Sequence, residues 1–141
     1  MRFVDTNVLL YAISRDEDEA AKAEAANAIL DAGDLGLSVQ VLQEFYVQAT
    51  RPSRQDAISH DQAVGLIESW RRFTVQDMTV AIMNSAFATR ARFGISYWDA
   101  AVIEASRALG CSLILSEDLD PGTDFDGVRI EDPFRHLDSG P

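Results

Sequence analysis

The chain has little cysteine, little lysine and no long apolar run. Its 141 residues contain one cysteine, Cys111, so an internal disulfide is excluded and nothing indicates an oxidising compartment. No apolar stretch approaches the length needed to cross a membrane, and no basic start is followed by an apolar segment. We therefore expect a cytoplasmic protein with no membrane association.

Positive charge is scarce as well. Asp and Glu number 23 against 12 Lys and Arg, which gives a formal net charge of −11. This balance disfavours a nucleic-acid partner, because phosphate contacts supply most of the affinity in such complexes. A carboxylate cluster that binds divalent cations would reverse the sign of the charge locally. The composition therefore lowers the expectation of nucleic-acid binding without excluding it.

Short apolar stretches alternate along the chain with amphipathic segments of helical period. The pattern predicts strands at residues 2–4, 35–38, 73–75, 112–115 and 128–130, with helices between them. Such alternation favours an α/β fold in which helices cover both faces of a parallel sheet. We expect one domain across residues 1–141, with a core at about residues 2–134 and a short C-terminal tail. The segment from Glu131 onward is expected to pack loosely.

The segment from Arg2 to Ala12 is the most informative part of the chain. A short apolar strand ends at Val4, Asp5 follows it directly, and an apolar helix begins at once. In open α/β sheets the functional crevice lies beyond the carboxyl ends of the strands, so Asp5 is placed where a site would form. A purely structural role is the alternative, because Asp and Thr are good N-caps of helices.

Three further acids are predicted to reach the same edge of the sheet. Glu44 lies in the apolar face of a helix that follows a strand, Asp99 lies in the first turn of another helix, and Asp118 follows a late strand. Right-handed crossovers start these helices at the carboxyl edge, so all four acids can converge on one crevice. Each also has a structural interpretation, Glu44 as an exposed helical residue and Asp99 as part of a capping box with Ser96.

Crowded carboxylates need a counterion. Two of them about 4 Å apart repel by roughly 4 kcal/mol at an effective dielectric of 20. Mg²⁺ or Mn²⁺ would relieve this repulsion through oxygen ligands, whereas the one cysteine and two histidines show no zinc-ligand spacing. Such an ion suits phosphodiester hydrolysis. The chain offers neither a Gly-rich phosphate loop nor a Ser, Cys or His arrangement for a covalent route.

The segments that carry these acids resemble a known family. They read FVDTNVLLYA, SVQVLQEFYV, SYWDAAVIEA and LSEDLD. Together they resemble a PIN domain and, more narrowly, the ribonuclease toxin of a VapBC-type toxin–antitoxin pair. The resemblance implies a three-layer α/β/α sandwich around a central parallel sheet and Mg²⁺- or Mn²⁺-dependent cleavage of RNA. It also implies a homodimer, and inhibition by a cognate VapB-type antitoxin whose C-terminal segment lies in a groove beside the site.

The resemblance also assigns site residues by position. The acidic quartet, expected to bind the metal ion and carry catalysis, is Asp5, Glu44, Asp99 and Asp118. Of these, Asp5 and Asp99 match the firmest motifs and are expected to be direct ligands. The side chains expected to orient the carboxylates are Thr6, Asn7 and Ser116. Asp120 lies in the same loop as Asp118 and is the alternative fourth acid, directly or through water.

The leading hypothesis is a metal-dependent endoribonuclease, the toxin of a type II toxin–antitoxin pair, in which water attacks phosphorus in line and a 3′-hydroxyl leaves. RNA would need cations on the rim of the site, and the candidates are Arg51, Arg54, Arg90 and Arg92. One alternative is a structure-specific DNA nuclease, and another is a non-catalytic PIN-like protein that binds RNA or a partner. A receiver-like phosphoacceptor would need a lysine at a late strand end, whereas the only lysine, Lys22, lies in an early helix.

Overall fold

A six-stranded sheet forms the centre of the molecule. The computed structural model describes residues 1–137, in which the strands are β1 (Arg2–Val4), β2 (Leu35–Ser38), β3 (Thr74–Gln76), β4 (Leu113–Leu115), β5 (Asp124–Phe125) and β6 (Val128–Glu131). Their order across the sheet is β3-β2-β1-β4-β6-β5. β1 pairs in parallel with β2 and β4, and β3 and β6 extend the parallel sheet on either side. The first strand of the chain therefore lies inside the sheet, with a partner along each edge.

The central sheet is parallel as predicted, and one edge adds an antiparallel strand that the sequence did not predict. β5 pairs with β6 in the antiparallel direction, with Phe125 opposite Val128. The turn between them is Asp126–Gly127, and both residues have positive φ, 54° and 95°. A two-residue Asp-Gly turn is a typical hairpin signal, although a strand of two residues has no alternating pattern that would reveal it.

Six helices flank the sheet, and their placement agrees with the predicted α/β fold. They are α1 (Thr6–Ala12), α2 (Ala20–Asp31), α3 (Val39–Ala49), α4 (His60–Trp70), α5 (Val80–Phe93) and α6 (Tyr97–Ala108). α1 packs against α2 and α3, and α3 packs against α4. α5 packs along α6, which in turn contacts β2, β3, β4 and β6. The predicted α/β class, with a largely parallel sheet between helices, is confirmed.

Side-chain caps fix where the two helices nearest the carboxyl edge begin. Ser38 is the last residue of β2, and its Oγ accepts a hydrogen bond from the Val41 backbone N–H at 3.2 Å, so α3 starts without an intervening loop. The Ser96 Oγ accepts from the Asp99 backbone N–H at 3.1 Å and starts α6 in the same way. These caps satisfy N–H groups that would otherwise lack an acceptor, and they place the first turns of α3 and α6 firmly.

The expectation of loose packing after Glu131 is wrong at Phe134, which belongs to the core, whereas Glu131, Arg135 and His136 are exposed. Phe134 is fully buried, and its ring meets the ring of Tyr11 edge to face with centroids 4.9 Å apart. A 3₁₀ turn follows at Arg135–Leu137. The remainder of the predicted tail, residues 138–141, lies outside the described residues.

None of the helices within residues 1–137 combines the length and the apolar character required to cross a bilayer.

Candidate active site

The four predicted acids line one cleft at the carboxyl edge of the parallel strands. Asp5 follows β1 directly, and Asp118 lies in the loop after β4. Glu44 lies on α3 and Asp99 in the first turn of α6. The cleft has a volume of about 90 Å³, and its other lining residues are Thr6, Asn7, Leu10, Gln40, Gln48, Trp98 and Val102. The structure therefore brings together the four acids that the sequence placed at this edge, while their role as metal ligands stays a prediction.

Asp5 is both a helix cap and a buried charge. One carboxylate oxygen, Oδ1, accepts from the Thr6 backbone N–H at 2.8 Å, and the other, Oδ2, accepts from Ser116 Oγ at 2.8 Å and from Asn7 Nδ2 at 3.4 Å. Burial raises the pKa of this carboxyl to about 6, and the nearby acids act in the same direction, although the hydrogen bonds from Ser116 and Thr6 oppose the shift. Asp5 therefore does cap α1, as the structural alternative predicted, and its buried carboxylate is also costly to ionise.

Ser116 ties Asp5 to the loop that carries Asp118. Besides donating to Asp5, its Oγ accepts from the backbone N–H groups of Asp118 at 3.2 Å and Leu119 at 3.1 Å. Asn7 reinforces this junction, because its Nδ2 donates to Ser116 Oγ at 3.2 Å and its Oδ1 accepts from the Glu117 backbone N–H at 3.1 Å. Both side chains therefore hydrogen-bond Asp5 and the loop of Asp118, while their role in orienting metal ligands stays a prediction.

Glu44 is held through both of its carboxylate oxygens. Thr6 Oγ1 donates to Oε2 at 3.1 Å, and Gln40 Nε2 donates to Oε1 at 3.1 Å. The same Gln40 Nε2 also donates to the backbone carbonyl of Trp98 at 3.2 Å, which links α3 to α6. Sequence analysis missed Gln40, although its position one helical turn before Glu44 is a spacing at which side chains meet.

Asp99 is partly buried in the same cleft. Burial raises the pKa of its carboxyl, and the Asp118 and Glu44 carboxylates raise it further, while a hydrogen bond from Ser96 opposes them. The first turn of α6 is capped by Ser96, as the capping-box interpretation predicted. The local cap and the shared acidic cleft are therefore both present at Asp99.

The geometry favours Asp118 over Asp120 as the fourth acid. Asp118 lines the acidic cleft and also a neighbouring cavity of about 170 Å³ that contains Tyr11 and Arg54. The Asp120 carboxylate accepts a hydrogen bond from Thr123 Oγ1 at 2.9 Å, within its own loop, and Asp120 does not line the cleft.

The loop after β4 has a second tie that the sequence did not reveal. The Tyr11 hydroxyl donates to Glu117 Oε1 at 2.6 Å, and Lys22 Nζ lies 2.7 Å from Glu117 Oε2. Burial alone would raise the pKa of the Glu117 carboxyl, but the hydrogen bonds from Lys22 and Tyr11 outweigh it and the pKa is lowered. The signal was hard to find, because Lys22 and Glu117 are 95 residues apart along the chain.

The four candidate arginines occupy different parts of the surface. Arg51 lines a groove beside the acidic cleft, and Arg54 lines the cavity that it shares with Asp118 while pairing with Asp56 at 3.0 Å. Arg90 and Arg92 lie in the last turn of α5 and line neither the cleft nor the groove. Arg92 pairs with Asp126 in the turn before β6. Because β6 is parallel to β4, this turn lies at the amino ends of the strands, opposite to the cleft. RNA contact by this second pair is a prediction without geometric support.

The residues of the cleft fit a hard divalent cation in donor type and in charge. All four acids offer oxygen ligands, and burial, reinforced by the neighbouring carboxylates, raises the pKa of Asp5 and of Asp99, so a bound cation would stabilise their ionised forms. The buried Gln40 Oε1 has no hydrogen-bond partner within the described chain. Across residues 1–137, however, no three His, Cys, Asp or Glu side chains are grouped closely enough to hold an ion as they stand. Binding therefore requires these carboxylates to turn toward one another.

Fold and cleft together define an α/β protein with a carboxylate site at the carboxyl edge of its parallel strands. The model of the PIN domain family matches residues 2–127, so the chain belongs to the PIN domain family, as the sequence motifs predicted. No curated protein sequence matches it.

Solved structures share the fold. A toxin–antitoxin complex from Klebsiella pneumoniae superposes with a TM-score of 0.68 at 17% identity, covering 94% of this chain and 98% of that one. DNA-bound VapBC from Salmonella typhimurium gives 0.67 at 17% identity, covering 94% and 97%. VapC20 from Mycobacterium tuberculosis, a toxin that cleaves the sarcin-ricin loop, gives 0.65 at 17% identity, covering 84% and 90%. At these identities the likeness establishes the common fold.

Proposed function

We propose that this PIN-family protein is a metal-dependent endoribonuclease and the toxin of a type II toxin–antitoxin pair. The observation that carries the proposal is the convergence of four carboxylates on one small cleft, where the pKa of Asp5 is raised to about 6. Proteins of the same fold support it, since one is a toxin that cleaves the sarcin-ricin loop and others are toxin–antitoxin complexes. RNA is the proposed substrate.

The acids have distinct duties in this proposal. Asp5 and Asp99 are the first choices as ligands of Mg²⁺ or Mn²⁺, with Asp118 and Glu44 completing the set. The bound ion would supply charge neutralisation at the phosphate and a water of lowered pKa. Hydrogen bonds from Ser116 and Thr6 hold Asp5 in one orientation, so the other carboxylates would turn toward it when the ion binds.

The test is cleavage of labelled single-stranded RNA by purified protein with Mg²⁺ or Mn²⁺, and with EDTA. We expect Asp5→Asn and Asp99→Asn to abolish cleavage while the protein stays folded. The matched control is Asp31→Asn, which removes an exposed carboxylate at the end of α2, outside the cleft. Full activity in either cleft variant, or undiminished activity in EDTA, would refute the proposal.

The same assay separates the alternatives. Cleavage of branched or flapped DNA in preference to RNA would identify a structure-specific DNA nuclease. RNA binding without cleavage, together with no Mn²⁺ binding at millimolar concentration, would identify a non-catalytic protein.

A cognate VapB-type antitoxin and a homodimer belong to the same proposal. The exposed face of α5 carries Val80, Met83 and Phe87 at the spacing of one helical stripe, and they are 71%, 37% and 52% exposed. An apolar stripe of this kind commonly marks a protein interface. We expect sedimentation to give the mass of a dimer, and Phe87→Glu to give a monomer. Sedimentation of the wild type as a monomer at micromolar concentration would contradict the homodimer.

A further inference from the structure

A groove adjoins the acidic cleft on the side of α3 and α6. It has a volume of about 480 Å³. Four residues line both the groove and the cleft, namely Gln40, Glu44, Gln48 and Trp98. A molecule that enters the cleft therefore has a continuous path into the groove. Arg51 lines the groove but not the cleft.

Trp98 is the dominant apolar surface of this groove. Its side chain is 62% exposed, whereas the other tryptophan, Trp70, is 4% exposed in the core. The ring of Tyr97 meets it at 82°, with centroids 5.0 Å apart, so this neighbour does not lie flat against the indole. Trp98 directly precedes Asp99, and its carbonyl is fixed by Gln40, which also holds Glu44. The aromatic platform and the acids therefore share one hydrogen-bonded frame.

The polar groups of the groove match a nucleotide better than an apolar peptide. Gln43 and Gln48 offer both donors and acceptors, and Arg51 offers a cation in a chain whose net charge is −11. Glu44 lies five residues before Ala49, the last residue of α3, which corresponds to about 7–8 Å along the helix axis, and Arg51 follows two residues beyond that end. One nucleotide spans a distance of that order, so a phosphate beyond the first base would come close to the guanidinium.

We infer that this groove is a nucleobase subsite, in which Trp98 stacks on the base next to the scissile phosphate and Arg51 contacts the following phosphate. This inference rests on the proposed ribonuclease function, because it takes the phosphate to lie at the acidic cleft. Stacking on an exposed aromatic side chain is a common way to hold an unpaired base, and it tolerates different bases. Trp98 is then a residue that positions single-stranded RNA rather than one that takes part in the chemistry.

The first test is tryptophan emission, which does not depend on cleavage. Short oligoadenylate is added to the wild-type protein in EDTA, and we expect the emission of the exposed Trp98 to be quenched. Trp98→Phe keeps an aromatic ring but leaves only the buried Trp70 as an emitter, so its emission should not respond. Absence of quenching in the wild type at saturating oligoadenylate would overturn the inference.

The second test is the KM for cleavage of single-stranded RNA with Mn²⁺. Trp98→Leu keeps an apolar side chain without a stacking surface, and we expect KM to rise about tenfold with little change in kcat. Trp98→Phe should restore most of the loss. Arg51→Gln should raise KM severalfold and weaken its salt dependence, whereas the control Arg71→Gln, at an exposed arginine after α4, should not.

An RNA with an abasic site next to the cleavage point identifies the partner of Trp98. On this substrate we expect the KM of the wild type to rise by about the same factor as the substitution Trp98→Leu causes. The KM of Trp98→Leu itself should not rise further. An unchanged KM for Trp98→Leu would overturn the inference. The inference would also be overturned if Trp98→Leu cleaved RNA normally but was no longer inhibited by the antitoxin, because the groove would then bind a protein. Quenching without any cleavage would instead refute the ribonuclease and leave the base subsite standing.

Discussion

Replacing Asp5 with asparagine should stabilise the metal-free protein, although it should destroy the activity. The pKa of Asp5 is about 6 in the folded protein against an ordinary value of 3.8. The difference of about 2 pKa units corresponds to about 3 kcal/mol of cost for keeping this carboxylate ionised in the folded state. Asparagine removes that charge and keeps an acceptor for the Thr6 backbone N–H, but its NH₂ group faces Ser116 Oγ and the Asn7 amide, so the hydrogen bonds that these two groups donate are lost. We therefore expect a net gain of about 1–2 kcal/mol, or roughly 4–8 °C in Tm.

The stability gained by Asp5→Asn should depend on pH in a direction that follows from the raised pKa of Asp5. Because the folded state binds the Asp5 proton more tightly than the unfolded state does, the contribution of Asp5 to stability is greatest below pH 3.8. It falls as the pH rises toward 6 and stays at its low value above that. The advantage of Asp5→Asn should therefore be full at about pH 8 and should shrink as the pH falls below the folded pKa.

Thermal unfolding of both proteins in EDTA, across this pH range, measures the effect. Adding Mn²⁺ at neutral pH should raise the Tm of the wild type much more than that of the variant, because the ion favours the ionised carboxylate. A variant that is less stable than the wild type at about pH 8 in EDTA would refute the reasoning, as would a difference in Tm that does not change with pH.

Three further substitutions test the packing and the tie at the loop. Phe134→Ala should lower the free energy of unfolding by about 3–5 kcal/mol, measured by denaturant titration, because the side chain is fully buried. Gly36→Ala should lower Tm only slightly, since the added Cβ would come within 2.8 Å of Leu109 Cδ1, the end of a partly buried side chain that can turn aside. Lys22→Met should cost about 1 kcal/mol at neutral pH and less once Glu117 is protonated, because it breaks a partly buried ion pair of 2.7 Å. If the stability of any of these variants were unchanged, the corresponding contact would not stabilise the fold as argued.

The alternation of strands and helices was enough to predict the fold class, because each element has a clear period. The convergence of Asp5, Glu44 and Asp99 followed from topology alone, since helices that follow parallel strands begin at the same edge. The sequence does not predict which long side chains contact each other across the fold. The tie from Lys22 to Glu117 joins distant parts of the chain, and no local pattern encodes it.

Two other features were missed for different reasons. β5 is two residues long, so it carries no alternation, although the Asp126–Gly127 pair that forms its turn is visible in the sequence. Phe134 is an isolated aromatic residue in a polar segment, and its burial follows from contact with Tyr11 rather than from any periodic pattern. Gln40 was accessible in principle, as it lies one helical turn before Glu44.

The central place of β1 has a consequence for the synthesis of the protein. β1 leaves the ribosome well before its second neighbour, β4, which is made only after a further hundred or so residues, and the hydrogen bond between Asp5 and Ser116 spans 111 positions. A nascent chain, or one cut short by premature termination before β4, holds Asp5, Glu44 and Asp99 without the strand and loop that set their arrangement. If the protein is a toxin, translation itself delays the appearance of a harmful product until β4 and the loop after it have been made.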